Sequence, residues 1–390
     1  MTLRSENLDK VISFSLMSFV CFSFFSISLT QISCGVGGLA WMTKCYLTRS
    51  WEKQTFPLKV PFLLFVLACL VAVVGAVDFS SSYKSLKRLL EILIFVWAVN
   101  CITSEKQREK LSLLLIASAT LSVLTGFYTA WETGITISAR AEGTMSNYMT
   151  YAGLLMLAFL VTSGKLAFDP KKYKWFYPAI LLMAICLLLT FARQAWLGVV
   201  GGLFFLIWFR KKSLLWFIPA ILGIIFLISP APIKHRIYQI TDLNDYNFQI
   251  RLALWQGGWL VFKDHPLTGC GFKCIDAVNQ DYPDPTGNIK KLRGLHNNFI
   301  QLAVDTGLFG LVSWISIWVV YFMTLYRRLF SMPDNSANRR DTMASAAAVI
   351  GFLAAGLFET NFYDAEVSMV LYFIMALPLT RAAIRNNSIN

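Results

Sequence analysis

The chain has 390 residues, 56% of them hydrophobic and only 15% charged, with a mean hydropathy of +0.57. Soluble domains are about a quarter charged, so a soluble class is excluded. The apolar residues come in runs of roughly 20, enough to cross a hydrocarbon core about 30 Å thick. The +13 net charge sits in short Lys and Arg clusters between those runs and forms no stripe, which argues against nucleic acid and for membrane orientation.

The pattern predicts an all-α integral membrane protein with about twelve transmembrane helices. The first four are expected near Val11–Ser26, Ile27–Leu47, Phe56–Val77 and Leu86–Ile102. The first follows Lys10 without a small-residue cleavage site, so it is read as a span and not as a removed signal. Two more are expected near Leu111–Trp131 and Asn147–Val161. Trp175 to Phe209 is one run too long for a single span; Arg193 interrupts it and both ends are basic, so a hairpin of Trp175–Phe191 and Arg193–Phe209 is expected. Ser213–Ser229 is the ninth span, and Thr306–Tyr326, Thr342–Phe358 and Val367–Arg381 complete the set. Twelve Trp, 14 Tyr and 31 Phe suit the aromatic belts of a bilayer. With the amino terminus in the cytoplasm, most of the 35 Lys and Arg fall in cytoplasmic segments, among them Arg108, Lys165, Lys172, Arg340 and Arg385.

Three regions follow: residues 1–229 with helices one to nine, 230–295 as one long periplasmic loop, and 296–390 with helices ten to twelve. A structureless loop of that length is uncommon and usually functional. Within it, Phe248–Phe262 sets Ile250, Leu254 and Trp255 against Gln249 and Gln256, which predicts an amphipathic helix lying at the membrane surface. The loop ends in a turn-rich stretch, Tyr282 to Asn288. No internal repeat, phosphate-binding glycine loop or zinc spacing is present. Most of the eight Cys lie in apolar runs, where a thiol is a small hydrophobe. Cys270 and Cys274 share a polar loop, where a local disulfide is possible and a metal site lacks a second ligand pair.

Three residues facing the outer surface stand out. Arg193, in FARQAWLG, reads equally as a functional charge and as a snorkelling interface arginine. Arg251 reads alone as part of a solvated helix face, and His296 as a cap or packed polar group. Asp264 and His265 precede Pro266, where helix termination is the simpler reading. Gly307 and Gly310 are expected to allow close helix packing.

Together these strings point further. His296, Asn297, nine residues, then Gly307 and Gly310 resemble the H-[NSQ]-x9-G-x-x-G motif of the bacterial O-antigen ligase family, within the superfamily that also holds O-antigen polymerases. The stretch from Arg251 through Asp264, His265, Pro266 and Gly271 to Phe272 resembles that superfamily's R…W…DHP…G.G pattern. FARQAWLG is similar to its arginine segment, and Gly356–Glu366 to its acidic loop before the last span. The first 140 residues carry no signal beyond their spans.

The resemblance implies a metal-independent, inverting glycosyltransferase without a cofactor. It would take glycan from undecaprenyl pyrophosphate in the bacterial inner membrane, at the periplasmic face, and join it to the lipid A-core of lipopolysaccharide. By motif, Arg193 and Arg251 match the positions thought to hold the pyrophosphate, and His296 the position thought to act on the acceptor hydroxyl. The chemistry agrees: a neutral imidazole can accept the proton, and guanidinium forks can grip phosphate in place of a metal. No Asp-x-Asp pair for a metal-bound donor lies in the outer loops. Arg140 can assist the pyrophosphate or anchor the interface; Asn297, Glu359, Asp364 and Glu366 are supporting candidates, the three acids as a patch for acceptor sugars or for the arginines. An O-antigen polymerase or a protein O-oligosaccharyltransferase would use the same donor. A non-catalytic transporter of lipid-linked glycan would also want arginines, but it should show repeated halves and polar groups near the bilayer midplane.

Overall fold

The computed structural model describes residues 2–134, 140–278, 281–282, 294–330, 332–333 and 336–383. Among them every regular element is a helix. In chain order the first six are α1 (Thr2–Phe22), α2 (Ile27–Leu47), α3 (Lys59–Val74), α4 (Phe79–Ser85), α5 (Ile92–Cys101) and α6 (Glu105–Thr133). Then come α7 (Tyr148–Phe168), α8 (Pro170–Tyr173), α9 (Tyr177–Leu189), α10 (Arg193–Arg210) and α11 (Ile218–Ile228). The long-loop region holds α12 (Ala231–Thr241), α13 (Tyr246–Asp264) and α14 (Cys274–Val278). The chain closes with α15 (Asn298–Leu329), α16 (Ala337–Ala355) and α17 (Ala365–Ala376). Among the described residues, five stretches are long and apolar enough to cross a membrane: Glu105–Glu132, Tyr148–Phe168, Pro170–Leu189, Asn298–Leu329 and Ala365–Ala383. The chain is thus a multi-pass membrane protein by helix length and composition.

Local signals explain the boundaries. Ser26, Asp78, Ser104, Asn147, Asp245, Asn297 and Ser336 each accept a backbone N–H of the helix they precede, satisfying a donor that has no intrahelical partner. The run from Trp175 to Phe209 breaks at residues 190–192, where Phe191 takes a left-handed backbone (φ 52°). Trp196 Nε1 donates to the Leu187 carbonyl across the break at 2.9 Å.

α7 is the central post, buried along nearly its whole length, with α10, α16 and α17 against it. Close approach comes from small residues: a Cβ on Gly202 would stand 2.8 Å from the Ala347 carbonyl oxygen, the packing mode expected where lipid supplies no hydrophobic drive between helices. Meanwhile Leu63, Leu67, Leu121, Leu124, Leu181 and Val312 point outward. Such a surface would aggregate in water and is stable against acyl chains.

Two expectations need correction. The piece around Phe248–Phe262 is helical, but Ile250, Leu254 and Val261 are buried against Cys270, Ile275, Leu295 and Val304, so its apolar face is spent on protein and not laid on lipid. Several basic residues expected in solvated cytoplasmic segments are not solvated either. Arg108 is fully buried and pairs with Asp341 at 2.8 Å; Lys165, 1% exposed, pairs with Asp341 at 2.9 Å and Glu109 at 3.0 Å. Lys172 reaches Glu109, and Arg340 reaches Asp169. The expected turn at 283–288 and Arg385 lie outside the described residues.

Candidate active site

The site rests on a break in α15. Gly307 has φ 62° and ψ −165° inside that helix, and the segment 266–271 docks into the gap. Leu308 and Phe309 donate to the carbonyls of Pro266 and Leu267, while Cys270 and Gly271 donate to those of Val304 and Asp305. A Cβ on Gly307 would stand 2.3 Å from the Leu267 carbonyl oxygen, and one on Gly269 (φ 72°) 2.4 Å from the Thr306 nitrogen. Only glycine combines that backbone with that approach. Gly307 therefore serves a docked loop and not the helix packing expected of it. Cys270 and Cys274 are disulfide-bonded beside this junction, with Cα atoms 5.7 Å apart.

His296 leads into α15 with a left-handed backbone of its own (φ 47°). The segment around it is stapled to the loop after α16. Asn298 N donates to the Gly356 carbonyl at 2.8 Å, Asn298 Nδ2 to Asn361 Oδ1 at 2.6 Å, and Asn297 Nδ2 to the Leu357 carbonyl at 2.9 Å. These bonds bring His296 Nδ1 to 3.1 and 3.3 Å from the two oxygens of Glu359. Burial by itself would raise the Glu359 carboxyl, but the His296 hydrogen bond and charge, the Thr360 N–H and Arg251 hold it below its ordinary value. A carboxylate there fixes the proton on Nδ1 and leaves Nε2 as the acceptor. Asn297 is occupied as the α15 N-cap, accepting from Phe299 and Ile300.

The arginines gather next to this pair. Arg193 opens α10; its Nη1 donates to the Gln239 carbonyl at 2.8 Å and its Nη2 to Asp245 Oδ1 at 3.0 Å. Burial tends to raise the Asp245 carboxyl, yet the Arg193 hydrogen bond and charge carry it below its usual range. Arg251 stands one turn before Trp255, whose Nε1 donates to the Leu295 carbonyl at 2.9 Å, so the helix is pinned beside His296 with Arg251 in electrostatic reach of Glu359, Arg193, Tyr148 and Asp245. Desolvation lowers the Arg251 guanidinium from its usual value. Arg251 makes no hydrogen bond or ion pair with the described residues. Arg140 lies over the Tyr148 ring, 4.1 Å from its centroid. A fourth, Arg236 on α12, belongs to the same group and was not read from the sequence. It is buried, and desolvation followed by the charges of Arg193 and Arg140 brings it down to about 10.

The expected acidic patch divides. Glu359 faces His296, whereas Asp364 accepts from Thr150 and lies near Glu366 and Glu91. Burial, then the neighbouring Glu366, pushes the Asp364 carboxyl up to about 7. His265 caps α13, its N–H donating to the Val261 carbonyl, and Asp264 accepts from Tyr282 at 2.5 Å; both terminate the helix as their position suggested. His235 is exposed on α12.

The arrangement joins an oriented imidazole to a basin of four guanidiniums facing two carboxylates, which suits proton removal from a hydroxyl next to a bound polyanion. Among the described residues, no group of three or more His, Cys, Asp or Glu is placed to hold a metal ion. Residues 178–315 match the family model described as O-antigen ligase. No curated protein matches the chain.

Proposed function

We propose that this membrane protein is an O-antigen ligase, a reading supported by the match of residues 178–315 to the O-antigen ligase family model. It takes glycan from undecaprenyl pyrophosphate at the periplasmic face of the inner membrane and joins it to the lipid A-core. The observation that carries this reading is His296 held on Glu359 beside the arginine group. The acceptor hydroxyl oxygen bonds to the anomeric carbon as its proton passes to His296 Nε2. The bond from that carbon to the phosphate oxygen breaks, its electron pair staying on the departing undecaprenyl pyrophosphate. Glu359 orients the imidazole and stabilises the imidazolium. Arg193 and Arg251 hold the phosphates, with Arg140 in support, and Asp364 and Glu366 would meet the acceptor sugars.

Two features support the periplasmic orientation. The Cys270–Cys274 bond lies on the side of the site, and disulfides persist in oxidising compartments. The buried Arg108, Lys165 and Arg340 lie at the other end of α7 from Tyr148, about 25 Å away at 1.5 Å per helical residue.

Purified protein should transfer glycan from undecaprenyl pyrophosphate to lipid A-core in the presence of EDTA. His296→Ala should lower the rate by about 10² to 10⁴ with fold and donor binding intact, while Ala at His235 or His265 should leave most activity. Wild-type transfer by His296→Ala would sink the base role. In cells lacking the protein, lipopolysaccharide should lose its ladder while lipid-linked polymer accumulates; a band of single repeats would instead identify a polymerase.

A further inference from the structure

We infer that Arg236 is a further guanidinium of the pyrophosphate site, holding the phosphate on which charge develops as the glycan leaves; this rests on the reading above. Arg236 sits in the middle of α12 and is 7% exposed. Its Nε donates to the Phe191 carbonyl at 3.3 Å, the residue of the left-handed turn just before Arg193. Its Nη1 donates to Gln239 Oε1 at 2.8 Å, and the backbone carbonyl of that same Gln239 accepts from Arg193 Nη1 at 2.8 Å. One residue thus yokes two guanidiniums, and the turn that starts α10 fixes both.

Burying an arginine beside like charges is unfavourable unless anions compensate. Around Arg236 the cations are Arg193 and Arg140, against Asp245 and the Tyr148 phenol. Asp245 is already held by Arg193, and Glu359 by His296. Arg193 and Arg236 thus share the one carboxylate of Asp245, and a pyrophosphate diester supplies further negative charge. When the anomeric C–O bond breaks, its electron pair adds a further negative charge to the terminal phosphate. A guanidinium held by Phe191 and Gln239 meets that charge without having to reorganise. Both of its holding bonds are to neutral oxygens, so its charge remains uncancelled for the ligand.

The test measures binding of undecaprenyl pyrophosphate and undecaprenyl monophosphate to the purified full chain, with transfer rates and thermal midpoints alongside. Wild-type protein should prefer the pyrophosphate. Arg236→Gln should cut that preference by about tenfold and transfer by about a hundredfold, and Arg236→Lys, keeping charge but losing the fork, should fall between. A purely structural role would lower the midpoint and leave the preference unchanged, which would overturn the assignment. If Arg236→Gln does not fold, Arg236→Lys decides: wild-type preference and rate in that variant overturn it. Wild-type protein that binds neither lipid removes the pyrophosphate site itself, a different outcome from a wild-type preference that survives the substitutions.

Discussion

His296 Nδ1 lies 3.1 Å from Glu359 Oε1, though one residue precedes α15 and the other follows α16. A carboxylate on Nδ1 makes Nε2 the basic atom, so removing its charge should misdirect the proton without touching substrate. Glu359→Gln should lower kcat by about 10² or more with KM nearly unchanged, and Glu359→Asp should keep part of the rate. Equal effects of Gln and Asp would show that charge is not what Glu359 supplies.

The same pair fixes a pH expectation. Glu359 is held below its ordinary value, so the stability it contributes is complete above the unfolded carboxyl value of about 4.3 and is lost only as pH falls through its lower folded value. Loss of transfer on acidification that stops above that range is therefore not a loss of the Glu359 charge. Asp364, which burial and the neighbouring Glu366 push up to about 7, is a carboxyl that does titrate there. The acidic limb of a kcat profile should persist in Asp364→Asn, and its disappearance there would reassign it.

Arg193 and Arg251 should respond differently to Lys. Both lose the bidentate fork and should lose activity steeply. Arg193→Lys also gives up the two bonds that join α10 to Gln239 and Asp245, so its thermal midpoint should fall. Arg251→Lys breaks no bond to the described residues and should unfold near wild type. Retained transfer in both variants would remove these residues from the site.

At the far end, Asp341 is the carboxylate shared by Arg108 and Lys165. Truncating one partner of a buried ion pair leaves uncompensated charge and costs about 3–5 kcal/mol. Asp341→Ala should therefore depress thermal stability strongly while detergent-purified protein that survives keeps its KM for donor. An unaltered midpoint would mean water reaches the cluster.

Composition and run length made the helical membrane class legible, and the resemblance of His296 to Gly310 to a family motif singled out the imidazole. Periodicity of Phe248–Phe262 found a helix but not its neighbour, because an amphipathic face looks the same against lipid as against Leu295 and Val304. The choice of Glu359 over Asp364 and Glu366 depends on staples from Asn297 and Asn298 to residues some sixty positions away. Nothing local in the sequence marks Arg236; only its long-range tie to Phe191 places it with Arg193. The buried Arg108 and Lys165 were read as orientation signals, since local sequence does not reveal a partner as distant as Asp341.

The gap at Gly307 bears on how the protein is made. Leu308 and Phe309 have their amide protons on Pro266 and Leu267, and a bilayer interior offers no water to take over that task. The helix α15 therefore cannot settle in its final form until the segment before it has folded back onto the break. On the proposed periplasmic reading, translocation of the long loop and seating of the helix that follows become one event, and the histidine between them takes its place only when both are complete.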